Sequence, residues 1–353
     1  MTLENLEPGQ LIYYKSGKPI PEELPSRIKC VQWNIERGYK LPQIKELLLS
    51  LNADILCLQE LDIGCMRSSG LNTFEELGQA LGLDGVFGCE FHEIHSERRN
   101  KRTQGGGWHG NAIFSRYKIE KAWLVEHTQA FDWDKRGVTI GEPRRGKRYA
   151  VGADVCVGTT LVRCYSLHLE LFCGIQRRTR QYLEVQHDCL SRAPASDIQL
   201  LFGDLNTMGH GVARFHPRYC NDGLRFRTIG QSEARWWDKH IFGPKSTNFA
   251  HFLDPFDGDR DWTLWQVRGW LFRGKLDWTL IRGCRLLDWS MHNLNFKASD
   301  HRLLLVEISV APLEPQEAYT ENLRLSRLLN RRILNGNWII LLVISVSLAY
   351  YVL

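Results

Sequence analysis

The chain has 353 residues, 43% of them hydrophobic and 24% charged, with a formal net charge of +5. That length suffices for one large α/β domain or two small ones with a real core, and the even composition excludes a low-complexity or repeat protein. The mild basic excess tolerates an anionic substrate without demanding nucleic acid.

Residues 1–27 are polar and Pro-rich and predict a surface arm. The start, Met1-Thr2-Leu3-Glu4-Asn5, lacks the basic and apolar regions of a signal peptide. Ile28–Ile35 predicts a strand. Leu41, Ile44, Leu47, Leu48 and Leu51 carry helical spacing, with Pro42 in the first turn, where its missing N–H costs little. Ala53–Leu58 predicts a second strand, so the chain opens β-α-β. A helix is predicted over Leu71–Leu83, and strands over Asn111–Phe114, Ala150–Val157 and Thr160–Leu167, the last two around a Gly158 turn. Gln176–Leu190 is helical in pattern, Ile198–Phe202 is a short apolar strand, and Leu276–Ile281 and Leu303–Val310 close the domain. Between Gly209 and Gly274 periodicity is poor and Trp is dense, which reads as long functional loops. Strands that alternate with helices early and crowd together late favour two packed sheets with helices outside.

Pro312 and Pro315 mark the end of the domain, giving a catalytic unit over 28–310 and a basic linker over 311–332. After Arg332 no charged residue appears. As a helix, 333–353 spans about 31 Å, close to the hydrocarbon thickness of a bilayer. Arg324, Arg327, Arg331 and Arg332 precede it, and Trp338, Tyr350 and Tyr351 sit near its ends. That pattern predicts a C-terminal membrane-anchoring helix with the catalytic domain facing the cytosol. The ten cysteines form no C-x-x-C pair, and several lie in apolar strands, which fits reduced thiols.

The chemistry lies in polar residues at strand ends. Asn34 follows Cys30-Val31-Gln32-Trp33, and Glu60 follows Ile55-Leu56-Cys57-Leu58-Gln59. A Glu carboxylate with an Asn carbonyl is a hard-oxygen pair suited to Mg²⁺ or Mn²⁺. His168 ends one strand, Asp204 and Asn206 follow Leu200-Leu201-Phe202 with Gly203 allowing a tight turn, Asp277 begins another strand, and Ser299-Asp300-His301 precedes the last. Such carboxylates, amides and imidazoles suit the activation of water against a phosphate ester.

These runs resemble the endonuclease/exonuclease/phosphatase superfamily, deoxyribonuclease I-like. The matching segments are Gln32-Trp33-Asn34-Ile35, Leu58-Gln59-Glu60, Gly110-Asn111-Ala112-Ile113-Phe114-Ser115-Arg116, Ser166-Leu167-His168-Leu169, Gly203-Asp204-Leu205-Asn206, Leu276-Asp277-Trp278 and Ser299-Asp300-His301. They occur in the family's order over about residues 28–310. The resemblance implies a four-layer α/β sandwich with two central mixed sheets and the site at their common edge. It implies Mg²⁺ (or Mn²⁺) on Glu60, helped by Asn34 and Asp300. It further implies His301 as general base or phosphate ligand oriented by Asp277, Asp204 on the attacking water, and Asn206 and His168 on phosphate or leaving oxygens. Asn111 would help set the substrate-binding edge. Where many nuclease members carry Asp two residues after the first Asn, this chain has Glu36.

The reaction expected is hydrolysis of a phosphodiester, nuclease-like, with nucleic acid as partner and no obligate protein partner. A membrane tether makes a phospholipase C- or sphingomyelinase-like enzyme acting on phospholipid headgroups the alternative. An inert membrane-bound adaptor is a third class, disfavoured by the intact set of ionisable groups. Three basic segments could meet phosphate: Arg98–Arg102, Lys135–Arg148 and Arg177–Arg180. Read blandly, they are solvated loops and a helix face. The Trp residues at 236, 237, 262, 265, 270 and 278 could stack bases, enter headgroups or pack a core.

Overall fold

The computed structural model describes residues 6–21, 23–242, 252–265, 273–311 and 313. In chain order, the first half holds β1 (Leu11–Tyr14), β2 (Arg27–Asn34), α1 (Leu41–Leu51), β3 (Ile55–Ile63), α2 (Thr73–Leu81), β4 (Asp84–Glu93), β5 (Gly107–Ser115) and β6 (Lys118–Glu126). Then come α3 (Trp133–Arg136), β7 (Arg144–Gly146), β8 (Tyr149–Val157), β9 (Thr160–His168), α4 (Ile175–Ser191) and β10 (Ile198–Asp204). After short helical turns the chain adds β11 (Leu264–Trp265), β12 (Arg273–Gly274), β13 (Asp277–Arg282), β14 (Leu286–His292) and β15 (Leu303–Ser309).

All the strands but β11 and β12, which pair with each other, form two mixed sheets. One runs β1-β4-β5-β3-β2-β15-β14, with β7 paired to β4, and the other runs β13-β10-β9-β8-β6. Alternation along each strand divides its side chains between two faces. Cys30, Cys57 and Ile113 of the first sheet meet Val155, Cys164 and Phe202 of the second in a core between the sheets. The opposite faces bury against helices. Val31, Trp33 and Leu58 pack on Ile44 and Leu48 of α1 and Phe74 of α2, while Tyr165 and Leu201 pack on Tyr182 and Val185 of α4. The layers are therefore helix, sheet, sheet, helix.

Helix α1 has the predicted bounds, with Pro42 in its first turn, and it ends on Asn52 in the left-handed conformation. Strands β4, β6 and β14 escape the apolar pattern. Edge strand β6 exposes Lys118, Glu120, Lys121 and Glu126. Strand β4 carries Gly88 because the two sheets approach too closely there for a side chain, a Cβ lying 2.6 Å from the Val151 side chain, and Gly85 because the Phe114 and Phe74 rings fill its space. The expected surface arm supplies β1, which pairs antiparallel with β4 and closes one sheet edge. All ten cysteines are free. Residues 333–353, expected as a membrane anchor, lie outside the described residues, as do Pro312, Pro315 and Trp270. Among the described residues no helix is long and apolar enough to cross a membrane.

Candidate active site

The site sits where β2, β9 and β10 end and β13 begins. Strand register sets its spacing: Asp204 pairs with His168 on one side and with Asp277 on the other. Gly203 lies inside β10 rather than in a turn, and any Cβ there would collide with the Leu167 carbonyl of β9. A buried polar floor supports this row. Gln32 Nε2 donates to Gln59 Oε1 (2.8 Å) and Asp277 Oδ1 (2.9 Å), and Gln59 Nε2 donates to Ser166 Oγ (3.0 Å). These side chains are buried, and the bonds among them hold the floor in place, with Gln32 Oε1 left without a partner.

The loop after β14 delivers His301. Asn293 Nδ2 donates to the carbonyls of Ser299 (2.8 Å) and His301 (2.7 Å), while Ser299 Oγ donates to Asn34 O (2.7 Å). Trp33 Nε1 also donates to His301 O at 3.0 Å. With its backbone pinned, His301 sets Nδ1 2.8 Å from Asp277 Oδ2 and turns Nε2 toward Asp204 Oδ2 at 3.8 Å. The same Asp204 oxygen lies 3.6 Å from His168 Nε2 and 3.2 Å from Asn34 Nδ2.

Burial disfavours a charged His301, yet the charge and hydrogen bond of Asp277, with Asp204 and Asp300, outweigh it and hold the imidazole protonated well above its usual range. Burial and the charge of Asp277 push Asp204 up to about 7, against the pull of His301, the Asn206 N–H and Asn34. His168 is held well below the usual range by burial, then by the charges of Arg148, His109, His301 and Arg144.

Glu60 lies inside β3, not after it. It sits at a break in the pairing with β5 and takes the left-handed conformation (φ 58°). That strained backbone turns it out of the ladder into the cleft. Asn111, fully buried, accepts from the Glu60 N–H through Oδ1 (3.4 Å). It thus braces Glu60, which is its part in setting the edge. Asn34 accepts from the Glu36 N–H through Oδ1 and turns its amide nitrogen, not its carbonyl, to Glu60 (3.2 Å) and Asp204. Asn34 is here a hydrogen-bond donor to both carboxylates. Asn206, at φ 49°, spends its amide nitrogen on Leu169 O (2.8 Å), and its N–H holds Asp204 Oδ1 (2.8 Å).

The donor set fits a hard divalent cation. Glu60 and Asp300 keep 21% and 41% of their side chains exposed to the cleft. Burial and the charges of Glu36 and Glu60 raise the Asp300 carboxyl to about 6, against the pull of His301 and Arg37. Crowded carboxylates of this kind gain from a cation. Asp204, Asp277 and His301 also bring ligand atoms within 4.8 Å of one another. Asp277, however, accepts from Gln32 on one oxygen and faces His301 with the other, so this trio is better described as an oriented acid–base set than as a cage.

Two residues were missed in the sequence. His109, in the run just before Asn111, sets Nδ1 2.8 Å from Asp62 Oδ1, and Arg67 grips Asp62 with two bonds of 2.7 and 2.8 Å. Its place two residues before Asn111 on β5 was the available signal. Arg148 bonds Glu90 Oε2 (2.7 Å) and His168 Nδ1 (3.0 Å). Its basic segment gave no sign of burial. The same correction holds for Arg99 and Arg144, which are buried near Glu93, and for Arg178, which bonds Glu233 at 2.9 and 2.6 Å. These arginines are internal struts, not solvated charge. Among the tryptophans, Trp237 and Trp278 are core. Glu36 pairs with Arg102 at 2.7 Å.

No curated protein matches this sequence. Among solved structures, an endonuclease/exonuclease/phosphatase from Beutenbergia cavernae is 16% identical over 81% of this chain and 72% of its own, with a TM-score of 0.51. An endonuclease/exonuclease/phosphatase from Bacteroides vulgatus is 13% identical over 81% of this chain and 99% of its own, with a TM-score of 0.50. Both likenesses are of fold. The sequence model of the Endonuclease/Exonuclease/phosphatase family matches residues 31–301, from β2 through His301. The chain thus belongs to the endonuclease/exonuclease/phosphatase family and is a hydrolase acting on phosphoric ester bonds.

Proposed function

We infer that the protein is a Mg²⁺-dependent phosphodiesterase, nuclease-like, which cleaves by in-line attack of water. The observation that carries this reading is the surrounding of one carboxylate oxygen, Asp204 Oδ2, by Asn34 Nδ2, His168 Nε2 and His301 Nε2 at 3.2, 3.6 and 3.8 Å. Asn34 donates to this oxygen and the two imidazoles face it beyond hydrogen-bond distance, so three N–H groups border the place where a phosphate oxygen and the attacking water would sit. Asp204, held by the Asn206 N–H, takes the proton of the attacking water. His301, held as an imidazolium and oriented by Asp277, donates from Nε2 to a phosphate oxygen. His168 donates to a second oxygen or to the leaving group. Glu60 and Asp300 would hold the cation, which when bound supplies neutralisation of the phosphate and leaving-oxygen charge.

Turnover of bis-p-nitrophenyl phosphate, DNA, RNA and sphingomyelin by the full chain with Mg²⁺ tests the reading. Hydrolysis of the small diester and of at least one nucleic acid is expected; no turnover of any diester sinks it.

The apolar run 333–353 favours a second reading, a membrane-tethered enzyme acting on phospholipid headgroups, with the domain facing the cytosol. Faster turnover of sphingomyelin than of either nucleic acid would select it. Removal of 333–353 should then release the protein from the membrane fraction.

A further inference from the structure

The loop that leaves the catalytic edge after Asn206 carries the exposed apolar side chains of Phe215, Phe226 and Ile229, at 57%, 54% and 62%. The other described phenylalanines are buried or half-buried, and Ile229 is the most exposed large apolar side chain among the described residues. Exposed apolar residues are ordinary when scattered, but three between positions 215 and 229 call for a partner. The charge exposed around them has one sign. Arg218 and Arg227 are exposed, and neither pairs with a carboxylate among the described residues. Asp222, the one acid between Asp204 and Glu233, accepts from the Leu224 and Gln176 N–H groups at 3.0 and 2.8 Å.

Buried bonds shape this loop. Two short helical turns, Gly211–Phe215 and Leu224–Arg227, are joined by Arg214. Its buried guanidinium donates to Arg225 O at 2.9 Å and Gly209 O at 2.7 Å, and also to Thr228 Oγ1 and Gln231 O. Burying a cation against neutral acceptors alone costs stability, and here it fixes turns whose apolar side chains stay in water. The Arg225 guanidinium, 4.6 Å from the Phe226 ring centroid, braces that ring and leaves it exposed. A fixed display of Phe and Ile among free arginines suits the boundary of an anionic bilayer, where apolar side chains enter and guanidiniums meet lipid phosphates. Nucleic acid would take the arginines and leave Ile229 in water. The chain outside the described residues points the same way. Its apolar run 333–353 starts 20 residues after Leu313, a tether that reaches up to about 65 Å when extended and so leaves open which face of the domain meets the bilayer.

We propose that the loop from Gly211 to Gly230 is a membrane-contact surface for an anionic leaflet, with Phe215, Phe226 and Ile229 entering the headgroup boundary and Arg218 and Arg227 binding lipid phosphates. The contact orients the domain and holds the loop that carries Asn206 close to the bilayer. It takes from the membrane-tethered reading only the presence of a bilayer, and it is independent of the ester that is cleaved.

The test is hydrogen–deuterium exchange of the full chain, lipid-free and in nanodiscs of phosphatidylcholine alone or mixed with phosphatidylserine. Each arginine near an anionic surface strengthens the contact roughly fivefold, about 1 kcal/mol. Amides of 211–230 should therefore exchange at least about fivefold more slowly in the anionic nanodisc than in the neutral one, and raised salt should remove the difference. Phe215→Ser with Phe226→Ser and Ile229→Ser should abolish the protection, and Arg218→Gln with Arg227→Gln should abolish its dependence on phosphatidylserine. Exchange of α4 reports whether each variant stays folded. Equal exchange in the anionic nanodisc and in the lipid-free protein overturns the surface, as does protection that survives both sets of substitutions. Slow exchange already without lipid would mean that the chain itself or a second copy covers the loop, and protection by an oligonucleotide would mean a nucleic-acid surface; either overturns the proposal. A chain that stays in the nanodisc with 211–230 unprotected keeps its tether and loses the surface. Protection in a chain that hydrolyses no diester keeps the surface and sinks the catalytic reading.

Discussion

Arg148 Nη1 stands 3.0 Å from His168 Nδ1, and this contact decides which imidazole nitrogen carries a proton. A guanidinium can only donate, so Nδ1 accepts and Nε2 keeps its hydrogen. Nε2 faces Asp204 at 3.6 Å and Glu60 at 4.0 Å, where a phosphate oxygen would lie. His168 is thereby a neutral donor rather than a base.

The first prediction concerns that strut. Arg148→Gln leaves Glu90 buried without its partner, which should cost about 3–5 kcal/mol by urea denaturation. Adding Glu90→Gln should recover most of the stability but not the activity, since the tautomer lock stays broken. Equal recovery of both would show that Arg148 acts only through folding.

The second concerns orientation of the other imidazole. Asp277→Asn keeps the size of the side chain but removes the charge 2.8 Å from His301 Nδ1. The turnover number on bis-p-nitrophenyl phosphate should fall about 10²–10⁴-fold, with KM changed far less. A loss confined to KM would contradict the assigned role.

For the cation, Glu60→Gln and Asp300→Asn should each weaken Mg²⁺ binding at least about tenfold, measured by calorimetry on folded protein. Chelation should abolish turnover, and added Mg²⁺ should restore it. Unaltered Mg²⁺ affinity in both variants would place the cation elsewhere.

The fourth prediction is a pH dependence of stability. Burial raises the Asp62 carboxyl, but Arg67 and His109 outweigh it and draw it down to about 2. A depressed carboxyl stabilises the fold above its unfolded pKa, near 4, and loses that contribution as pH falls toward 2. The shift corresponds to about 2 kcal/mol. The urea-stability gap between wild type and Asp62→Asn should narrow between pH 5 and the lowest pH at which both remain folded. A constant gap would mean that Asp62 contributes shape rather than charge.

Much of this architecture is legible in the residues. Apolar spacing marks α1 to the residue, because one helix face must bury Leu41, Ile44 and Leu48. Strand β4 is not legible, since its glycines and buried Glu90 and Glu93 answer to neighbours distant in sequence. Glu60 reads as a residue after a strand, whereas it sits within one, at a bulge created by its pairing with β5. The basic segments mislead for a similar reason. A run of arginines looks the same whether it meets water or Glu93 and Glu233.

The sequence by itself determined which chemical groups are available and in what order: Asn34, Glu60, His168, Asp204, Asp277, Asp300 and His301, each beside an apolar strand that could fix it. The tertiary structure alone decided how they meet. Asn34 reaches Asp204 across 170 positions only because β2 and β10 end at one edge of facing sheets. It also decided that Asn34 donates and that Arg148 locks His168. Periodicity records which face of a segment is buried, but sheet order and register fix the partners, and those depend on contacts between segments far apart in the chain.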